Sequence, residues 1–410
     1  MIDVAVLRSQ PEKIQLLKAK DPSFDVERLL RLDEERRAIN IDVEKLRARK
    51  NELANQAKGG ITDAVRQESI SIGSQLKEKE YALEHLRRDL ELLALSCPNI
   101  PDADLPLGGK EANKVVKLIG EKPQFSFAPL NHVELGKKNG WLNFEAAAKM
   151  TGSQFAFYQG QAVKLVYALT RMMLKNNEAH GFQPMIPPYL VNEQSLVCAS
   201  NFPKFRDNVY EIVGEGLFLT PTAEVNLTNL YRDTILSAAQ LPLRMTAWTS
   251  CFRREAGGYG AHERGLIRIH QFEKVELYSI VSPEDSMAEL ERMVECAQKL
   301  LTELGLHYRV SLLAMQDCSF PSAKTYDIEV WMPGQNAYME VSSCSNCTDF
   351  QARRAAMRFK REPEAKAEFV HTLNASSLAL PRLIVALMET FQQPDGSIKL
   401  PAALQLYMDW

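Results

Sequence analysis

The sequence predicts an α+β protein in two parts: a long antiparallel coiled-coil hairpin, then a larger domain built on an antiparallel sheet flanked by helices. Three observations carry that prediction. Apolar residues recur at sevens through two charged, proline-free stretches separated by Gly59-Gly60, the pattern of two helices packed on one another. A break rich in proline and glycine follows, with Pro98, Pro101, Pro106, Gly108 and Gly109, and such composition marks a domain boundary. Beyond it, strand-like stretches come as hairpin pairs with the helices set apart, unlike the strand–helix alternation of a parallel sheet.

The totals narrow the class. A chain of 410 residues with 45% apolar content has material for a large core and for more than one domain. Net charge is −3, so bulk electrostatics give no general attraction to nucleic acid, and any such contact needs a local basic patch. Seven cysteines, an odd and scattered set, do not make a secreted disulfide framework and point to a reducing compartment. Met1 to Arg8 lacks the charged and apolar regions of a signal peptide, and no long apolar run suggests a membrane span. A cytoplasmic protein is expected.

Residues 1–24 read as a short helix or lead-in. From 25 to 58, Leu32, Ile39, Leu46 and Leu53 form one heptad series. After the glycine pair, Thr62 and Asp63 can cap a second helix, in which Val65, Ile72, Leu86 and Leu93 form one series and Leu76, Leu83 and Leu90 another. Lys79 is the charged member of the first. The hairpin, about 25–97, would extend roughly 50 Å at 1.5 Å per residue. Near its turn lie Lys45, Arg47, Arg49, Lys50, Lys58 and Arg66. These suit either a solvated face or contact with a phosphate backbone. The first domain is taken as 1–98, a linker as 99–112 and the second domain as 113–410.

In that second domain, Gly160 to Asn177 reads as a helix with Val163, Val166, Tyr167, Leu169 and Thr170 spaced for burial. Gly181 to Leu190 is extended but studded with proline, which confines it to an edge or an interface. Leu217 to Thr220 is a short strand. A helix is expected over 284–304, burying Met287, Leu290, Met293, Val294, Ala297, Leu300 and Leu301. Tyr326–Met332 and Ala337–Ser342 form a hairpin around Pro333-Gly334. A last helix runs from Arg382 to Phe391.

The chemistry concentrates on one hairpin. Met245–Phe252 and Leu266–Tyr278 read as strands around a mobile loop holding Gly257, Gly258, Gly260 and Gly265. Side chains two apart share a face of a strand, so Arg253 goes with Glu255, and Arg268 with Phe272 and Glu276. The later hairpin ends in Glu340-Val341-Ser342-Ser343, and Arg382, directly after Pro381, opens a helix whose N-terminus favours anions. Arginines for phosphates, an aromatic ring for a base, and a carboxylate with a hydroxyl for Mg²⁺ are what nucleotide chemistry needs without a P-loop. No P-loop, dinucleotide fingerprint or HExxH string is present, and the one CxxC pair, Cys344 and Cys347, has no second pair to complete a zinc site.

Phe252-Arg253-Arg254-Glu255 with Arg268 to Phe272 resembles motif 2 of the class II aminoacyl-tRNA synthetases. Gly181 to Pro187 is similar to their motif 1, and Asn374 to Glu389 to their motif 3. Four longer strings resemble the seryl-tRNA synthetase family within that class: Leu219 to Glu224, Ala256 to His270, Val341 to Arg354 and His371 to Asn374. The N-terminal hairpin extends the resemblance to essentially the whole chain. It implies a class II catalytic domain, a homodimer, and attachment of serine to tRNA(Ser) with ATP and Mg²⁺, with tRNA(Sec) a further substrate where the host has one.

The resemblance also implies roles. Arg253, Arg254, Glu255, Arg268, Phe272, Glu340, Val341, Ser342, Ser343 and Arg382 would bind ATP. Among them Arg253, Glu340 and Arg382 would be catalytic, and Glu340 and Ser343 would hold Mg²⁺. Thr222, Ala223, Glu224, Arg253, Glu276, Asn374 and Ser376 would bind serine, and the six basic arm residues would meet tRNA. Ala375 and Ser377 replace glycines usual in motif 3, Cys198 to Phe202 replaces a Gly-Thr-Gly stretch, and Gln154 stands where arginine is frequent. Two other readings stay open. One is a serine-activating ligase that loads a carrier protein, against which the basic arm argues. The other is an inactive RNA-binding relative, against which the presence of Arg253, Glu340 and Arg382 argues.

Overall fold

The heptad stretches become two long helices, Val26–Ala57 and Asp63–Leu95. The computed structural model describes residues 1–58, 60, 62–256 and 265–409, so Gly59 and the loop glycines Gly257, Gly258 and Gly260 lie outside the described residues. Thr62 caps the second helix by accepting from the Val65 amide. The seam closes on Val43, Leu76 and Leu83, with Ile39 and Leu46 against them. Only part of the expected register is the deep one. Leu53, Ile72, Leu76 and Leu83 are buried as expected, but Leu32, Ile39 and Leu46 are half-covered, while Leu29 and Val43 are fully buried. The lead-in is two helices, Val4–Ser9 and Pro11–Lys20.

The described residues divide into two compact units, Met1–Pro98 and Asn99–Trp410. Residues 99–112, expected to be a linker, are packed into the second unit. The Asn99 amide donates to the Phe320 carbonyl at 2.9 Å, and its side chain to the carbonyls of Pro321 and Cys347 at 2.9 Å each. Proline and glycine there set a fixed extended path, not a loose one.

An eight-stranded sheet forms the second unit. From one edge the strands run Lys114–Ile119, Tyr308–Leu312, Lys324–Met332, Ala337–Thr348, His371–Ala379, Gln271–Val281, Leu243–Phe252 and Gln183–Met185. Every neighbouring pair is antiparallel except the last, where the short proline-bearing strand Gln183–Met185 lies parallel on the edge. Helices Gln161–Ala179, Ser286–Glu303 and Leu380–Thr390 bury their apolar sides in one core with residues such as Val275, Leu277, Val341, Cys344 and Leu373 from the sheet.

Three expectations shift in detail. In Gln161–Ala179 the buried face is Ala162, Leu165, Ala168, Leu169 and Met172, and Tyr167 is exposed, because small and aliphatic residues let the helix lie closer to the sheet. Met287 is likewise exposed at the start of Ser286–Glu303. The strand expected from Leu266 begins only at Gln271. All seven cysteines are buried free thiols, and no helix among the described residues is long and apolar enough to cross a membrane.

Candidate active site

Strand Gln271–Val281 sorts its side chains by period two. Val275 and Leu277 face the helix-covered core. Phe272 and Lys274 line a cavity of about 290 Å³, with Glu276 next along the same face. Arg253, Glu255, Arg268, Glu340, Ser376 and Arg382 complete the polar lining. The structure therefore brings together, from four separate stretches, most of the residues expected to bind a nucleotide.

The local geometry differs from simple alternation. The first strand ends at Phe252, and Arg253 continues the pairing only through its amide, which donates to the His270 carbonyl at 2.8 Å. Glu255 adopts φ +49°, a left-handed conformation unfavourable for a residue with a Cβ. Its carboxylate is held by Arg268 at 2.6 Å. Arg268 itself lies in the irregular return before the strand, so an ion pair, not the pleat, sets its place. The Arg253 guanidinium lies 5.2 Å from the Phe272 ring centroid and its Nε donates to the Pro221 carbonyl at 3.2 Å. Across the cavity, Arg382 donates to the Glu340 carbonyl at 2.8 Å, from the N-terminal turn of Leu380–Thr390. Three guanidinium groups and one aromatic ring thus surround an open volume, which suits a polyanion carrying a flat base.

Beside it, a buried polar cluster forms where Thr222 caps helix Ala223–Asn229. The Thr222 hydroxyl donates to Glu276 at 3.0 Å and accepts from the Lys274 ammonium at 2.7 Å, and Lys274 also pairs with Glu276. Glu224 accepts from Gln351 at 2.6 Å and from Asn374 at 3.1 Å. Burial, reinforced by the neighbouring Glu276 carboxylate, pushes the Glu224 carboxyl up to about 7. A carboxyl so placed favours its neutral form, and a positive group brought beside it would favour the charged one.

A third cluster lies on the paired strands Lys324–Met332 and Ala337–Thr348. Asp327 stands opposite Ser343 and Glu329 opposite Glu340. The Asp327 carboxyl is driven well above the usual carboxylate range by burial, then by Glu340, and one of its oxygens has no hydrogen-bond partner. Glu329 is paired with Arg309 at 2.8 Å and Glu340 with Arg382 at 3.5 Å, so the shortage of positive charge in this cluster falls on Asp327. Among the described residues no group of three or more His, Cys, Asp or Glu is placed to hold a metal alone; Glu340 and Ser343 could supply two oxygen donors to a cation that takes its other ligands from phosphates and water.

Several expected residues do not reach the cavity. Val341 is in the apolar core and Ser342 is buried, donating to the Ser376 carbonyl. Ser343 and Arg254 are not part of its lining, and Arg254 is anchored by its amide to the Asn208 carbonyl at 2.9 Å. Ala223 is buried as the first residue of its helix. Of the unusual residues in the third motif, Ala375 joins the apolar core, and Ser377 donates to Asn177 at 2.9 Å. They sit on the opposite side of the strand from Asn374 and Ser376, so their side chains fill the core and do not line the cavity. Gln154 acts through its backbone, accepting from the His270 amide at 2.9 Å.

Sequence reasoning missed four supports. Lys274 sits at period two between Phe272 and Glu276, so the alternation that picked its neighbours also marks it. Gln351 and Asp327 have no such local signal. Nor has His132, whose Nε2 accepts from the Leu266 amide at 3.2 Å while Nδ1 faces buried Glu389 at 3.1 Å. That contact fixes the return of the hairpin. Gly265, at φ +67°, packs so closely that a Cβ would collide with His132 Nε2, which is why the chain turns there instead of starting a strand.

On the helical hairpin, Arg47 pairs with Glu80 at 2.6 Å, Arg49 with Glu68 at 2.8 Å and Lys79 with Asp42 at 2.7 Å, all between the two helices. Lys45, Lys50, Lys58 and Arg66 are exposed. The basic group is therefore split into two residues that brace the hairpin and four that remain available.

Comparison with known proteins agrees with both units. The seryl-tRNA synthetase N-terminal domain matches residues 1–101, and the tRNA synthetase class II core domain (G, H, P, S and T) matches residues 209–391. A serine–tRNA ligase of Desulfitobacterium hafniense (strain DSM 10664 / DCB-2) is 42% identical over 415 residues, covering 100% of this chain and 99% of the relative. One from Geobacter sulfurreducens is 44% identical over 416 residues, covering 100% and 98%. The crystal structure of seryl-tRNA synthetase from Pyrococcus horikoshii complexed with ATP superposes with a TM-score of 0.95 at 33% identity, covering 100% and 98%.

Proposed function

The chain belongs to the seryl-tRNA synthetase family, and from that premise we propose that its two clusters activate L-serine with ATP and pass the seryl group to tRNA. The reading is carried by one observation. A cavity ringed by Arg253, Arg268, Arg382 and Phe272 shares a strand with the buried Thr222–Lys274–Glu276 cluster.

In the first step the serine carboxylate attacks the α-phosphorus of ATP in line and pyrophosphate leaves. No side-chain nucleophile is needed, and the protein orients reactants and offsets charge. Arg253 lies between the cavity and the serine cluster, placed to bridge carboxylate and α-phosphate. Phe272 stacks on adenine, with Glu255 at its amino edge, and Arg268 and Arg382 hold the outer phosphates. Mg²⁺, held by Glu340 and Ser343, would supply neutralisation of the phosphates. Val341 and Ser342 contribute main chain only, and Arg254 is exposed next to Arg253.

Serine enters with its ammonium on Glu224 and the Thr222–Ala223 turn, and its hydroxyl toward Glu276, with Asn374 and Ser376 closing the pocket. Alanine would leave the buried Glu276 acceptor unmatched, and threonine would need room for a methyl group. Transfer then esterifies the 3′-terminal ribose of tRNA(Ser), whose body is held by Lys45, Lys50, Lys58 and Arg66 with Arg47 and Arg49 as braces. Two further features follow the family. A homodimer formed beside the edge strand Gln183–Met185 is supported by Ile186, which is 82% exposed next to it. A cytoplasmic setting is supported by seven free cysteines.

The test is serine-dependent ATP–pyrophosphate exchange followed by charging of total tRNA. Replacing Lys45, Lys50, Lys58 and Arg66 together by glutamine in the full chain is expected to leave exchange unchanged. Charging kcat/KM should drop about a hundredfold, and its salt slope should flatten by about three. Absence of serine-dependent exchange would sink the reading, and exchange without charging would favour a non-tRNA acceptor.

A further inference from the structure

The strand His371–Ala379 pairs with Gln271–Val281 through Ser376 opposite Glu276, and then through Leu378 opposite Val275. Ser377 is the extra residue of a bulge between those two pairs. A bulge disrupts the ladder locally, leaves a residue unpaired and re-aims the side chains beside it. Here both neighbours in the bulge are held by side chains from elsewhere. The Ser376 carbonyl accepts from the Ser342 hydroxyl, and the Ser377 hydroxyl donates to the Asn177 carboxamide oxygen at 2.9 Å. Ser342, Ser377 and Asn177 are all fully buried.

Asn177, near the end of helix Gln161–Ala179, carries the contact onward. Its Nδ2 donates to the Thr246 hydroxyl at 2.9 Å, and that hydroxyl donates to the Glu276 carbonyl at 2.8 Å. A hydroxyl has a single proton. Thr246 directs its own to Glu276, so it can only accept from Asn177. The carboxamide must therefore turn its NH₂ group to Thr246 and its oxygen to Ser377. The Cys296 thiol, 3.4 Å from the same oxygen, is a weaker donor. The result is a directed chain from Ser377 through Asn177 and Thr246 to Glu276, in which each bond polarises the next. It starts at the bulge beside Glu276 and returns to Glu276 along the helix-covered side of the sheet. On the other side, Ser376 lines the cavity and Glu276 bonds to Thr222 and Lys274.

We propose that Ser377, Asn177 and Thr246 are positioning residues for serine, a buried chain that fixes the Glu276 main chain and so the reach of its carboxylate. The proposal rests on the serine reading above and gives a part in selectivity to three residues that touch no substrate. Rejecting alanine through an unmatched acceptor, or threonine through want of room, works only if that acceptor cannot retreat. Thr222 and Lys274 hold the Glu276 carboxylate, while the position of its Cα depends on the strands around it. A binding group must stay within about 0.5 Å of its productive place. At a bulge the ladder opposes such a shift least, and there the chain supplies the missing restraint.

The experiment measures ATP–pyrophosphate exchange by the full-length protein carrying Thr246→Val, Thr246→Ser or Ser377→Ala, with serine and with alanine. Thr246→Val keeps the shape and loses the hydroxyl. It is expected to raise the serine KM about tenfold, the scale of one lost hydrogen bond, with the ATP KM within about twofold. Its preference for serine over alanine should fall by a similar factor. Thr246→Ser keeps the hydroxyl and should restore both values. Ser377→Ala should raise the serine KM about threefold, and adding it to Thr246→Val should cost nothing further, since both break one chain. A lowered thermal midpoint with an unmoved serine KM would reduce the chain to a structural support and overturn the proposal. An ATP KM that rises in step with that for serine, a Thr246→Ser variant as impaired as Thr246→Val, or additive losses in the double variant would overturn it too. If Thr246→Val does not fold, Ser377→Ala decides by the same comparison of serine with ATP. Absence of serine-dependent exchange in the unaltered protein would instead remove the serine reading itself.

Discussion

The helical hairpin and the catalytic unit hold charge in opposite ways. On the hairpin, Arg47–Glu80, Arg49–Glu68 and Lys79–Asp42 are solvent-facing pairs between two helices, and each such exposed pair contributes little. In the catalytic unit, Lys274, Glu276 and Thr222 are buried and bonded to one another, and Glu224 is raised toward neutrality beside them. Removing one partner there leaves another buried charge uncompensated. The difference teaches how each region tolerates change. The hairpin spreads its work over many replaceable residues, whereas the cavity concentrates it on few that depend on each other.

One pair of substitutions puts that contrast at risk. Arg253→Ala is expected to lower exchange about a thousandfold, the scale of losing a preorganised charge at a reacting phosphate, with a thermal midpoint close to that of the unaltered protein. Lys50→Ala, a single exposed hairpin charge, should change charging by no more than about threefold. Near-normal exchange in the first, or a tenfold loss of charging in the second, would erase the distinction.

How much was legible follows the same divide. The hairpin could be read because burial there depends on neighbours seven apart, and what the reading left out, the companion positions Leu29 and Val43, lies three residues before Leu32 and Leu46 on the same seam. The cavity could be read only in part. Phe272 and Glu276 follow from strand alternation, which equally marks Lys274 at the same period. Arg268 was set on a strand that does not reach it, since the turn is imposed by His132, far away in sequence. Asn374, Gln351 and Glu389 bind partners more than 50 residues distant. No local pattern encodes those contacts, and only the family resemblance reached Asn374.

A smaller effect tests whether the buried cluster is poised as described. The Glu224 carboxyl, raised from 4.5 to about 7, is largely protonated at pH 6 in the free protein. For an acid whose folded value is raised, the contribution to stability is lost as pH rises from the unfolded value through the folded one. Here that window is about 4.5 to 7. On the reading proposed above, the serine ammonium binds the charged form, so the proton must leave first. The KM for serine in exchange is expected to rise about tenfold from pH 8 to pH 6, with kcat at saturating serine little changed. Glu224→Gln should raise KM at pH 8 and abolish the slope. A flat profile in the unaltered protein would show that Glu224 is already ionised.

The smallest expected effect comes from a position that neither binds nor reacts. Ser200, in the stretch Cys198 to Phe202, adopts φ +73° and has a buried hydroxyl without a hydrogen-bond partner. Left-handed backbone at a residue with a Cβ costs about 1 kcal/mol or more, and an unmet buried hydroxyl adds to it. Ser200→Gly relieves both, against a loss of about 0.5–1 kcal/mol from the added freedom of the unfolded chain. A net gain of about 1 kcal/mol is expected, read as a higher urea midpoint with an unchanged slope. Ser200 adjoins Asn201, which with Asn208, Thr222 and Arg253 lines a cavity of about 200 Å³ beside the nucleotide cavity, so the same variant also sharpens the contrast between the regions. If the strain is only structural, stability rises and seryl transfer stays the same. A fall in transfer with exchange intact would mean that the left-handed turn at Ser200 aims Asn201, and that even a residue outside the chemistry is coupled to it in the catalytic unit, as no single residue of the hairpin is.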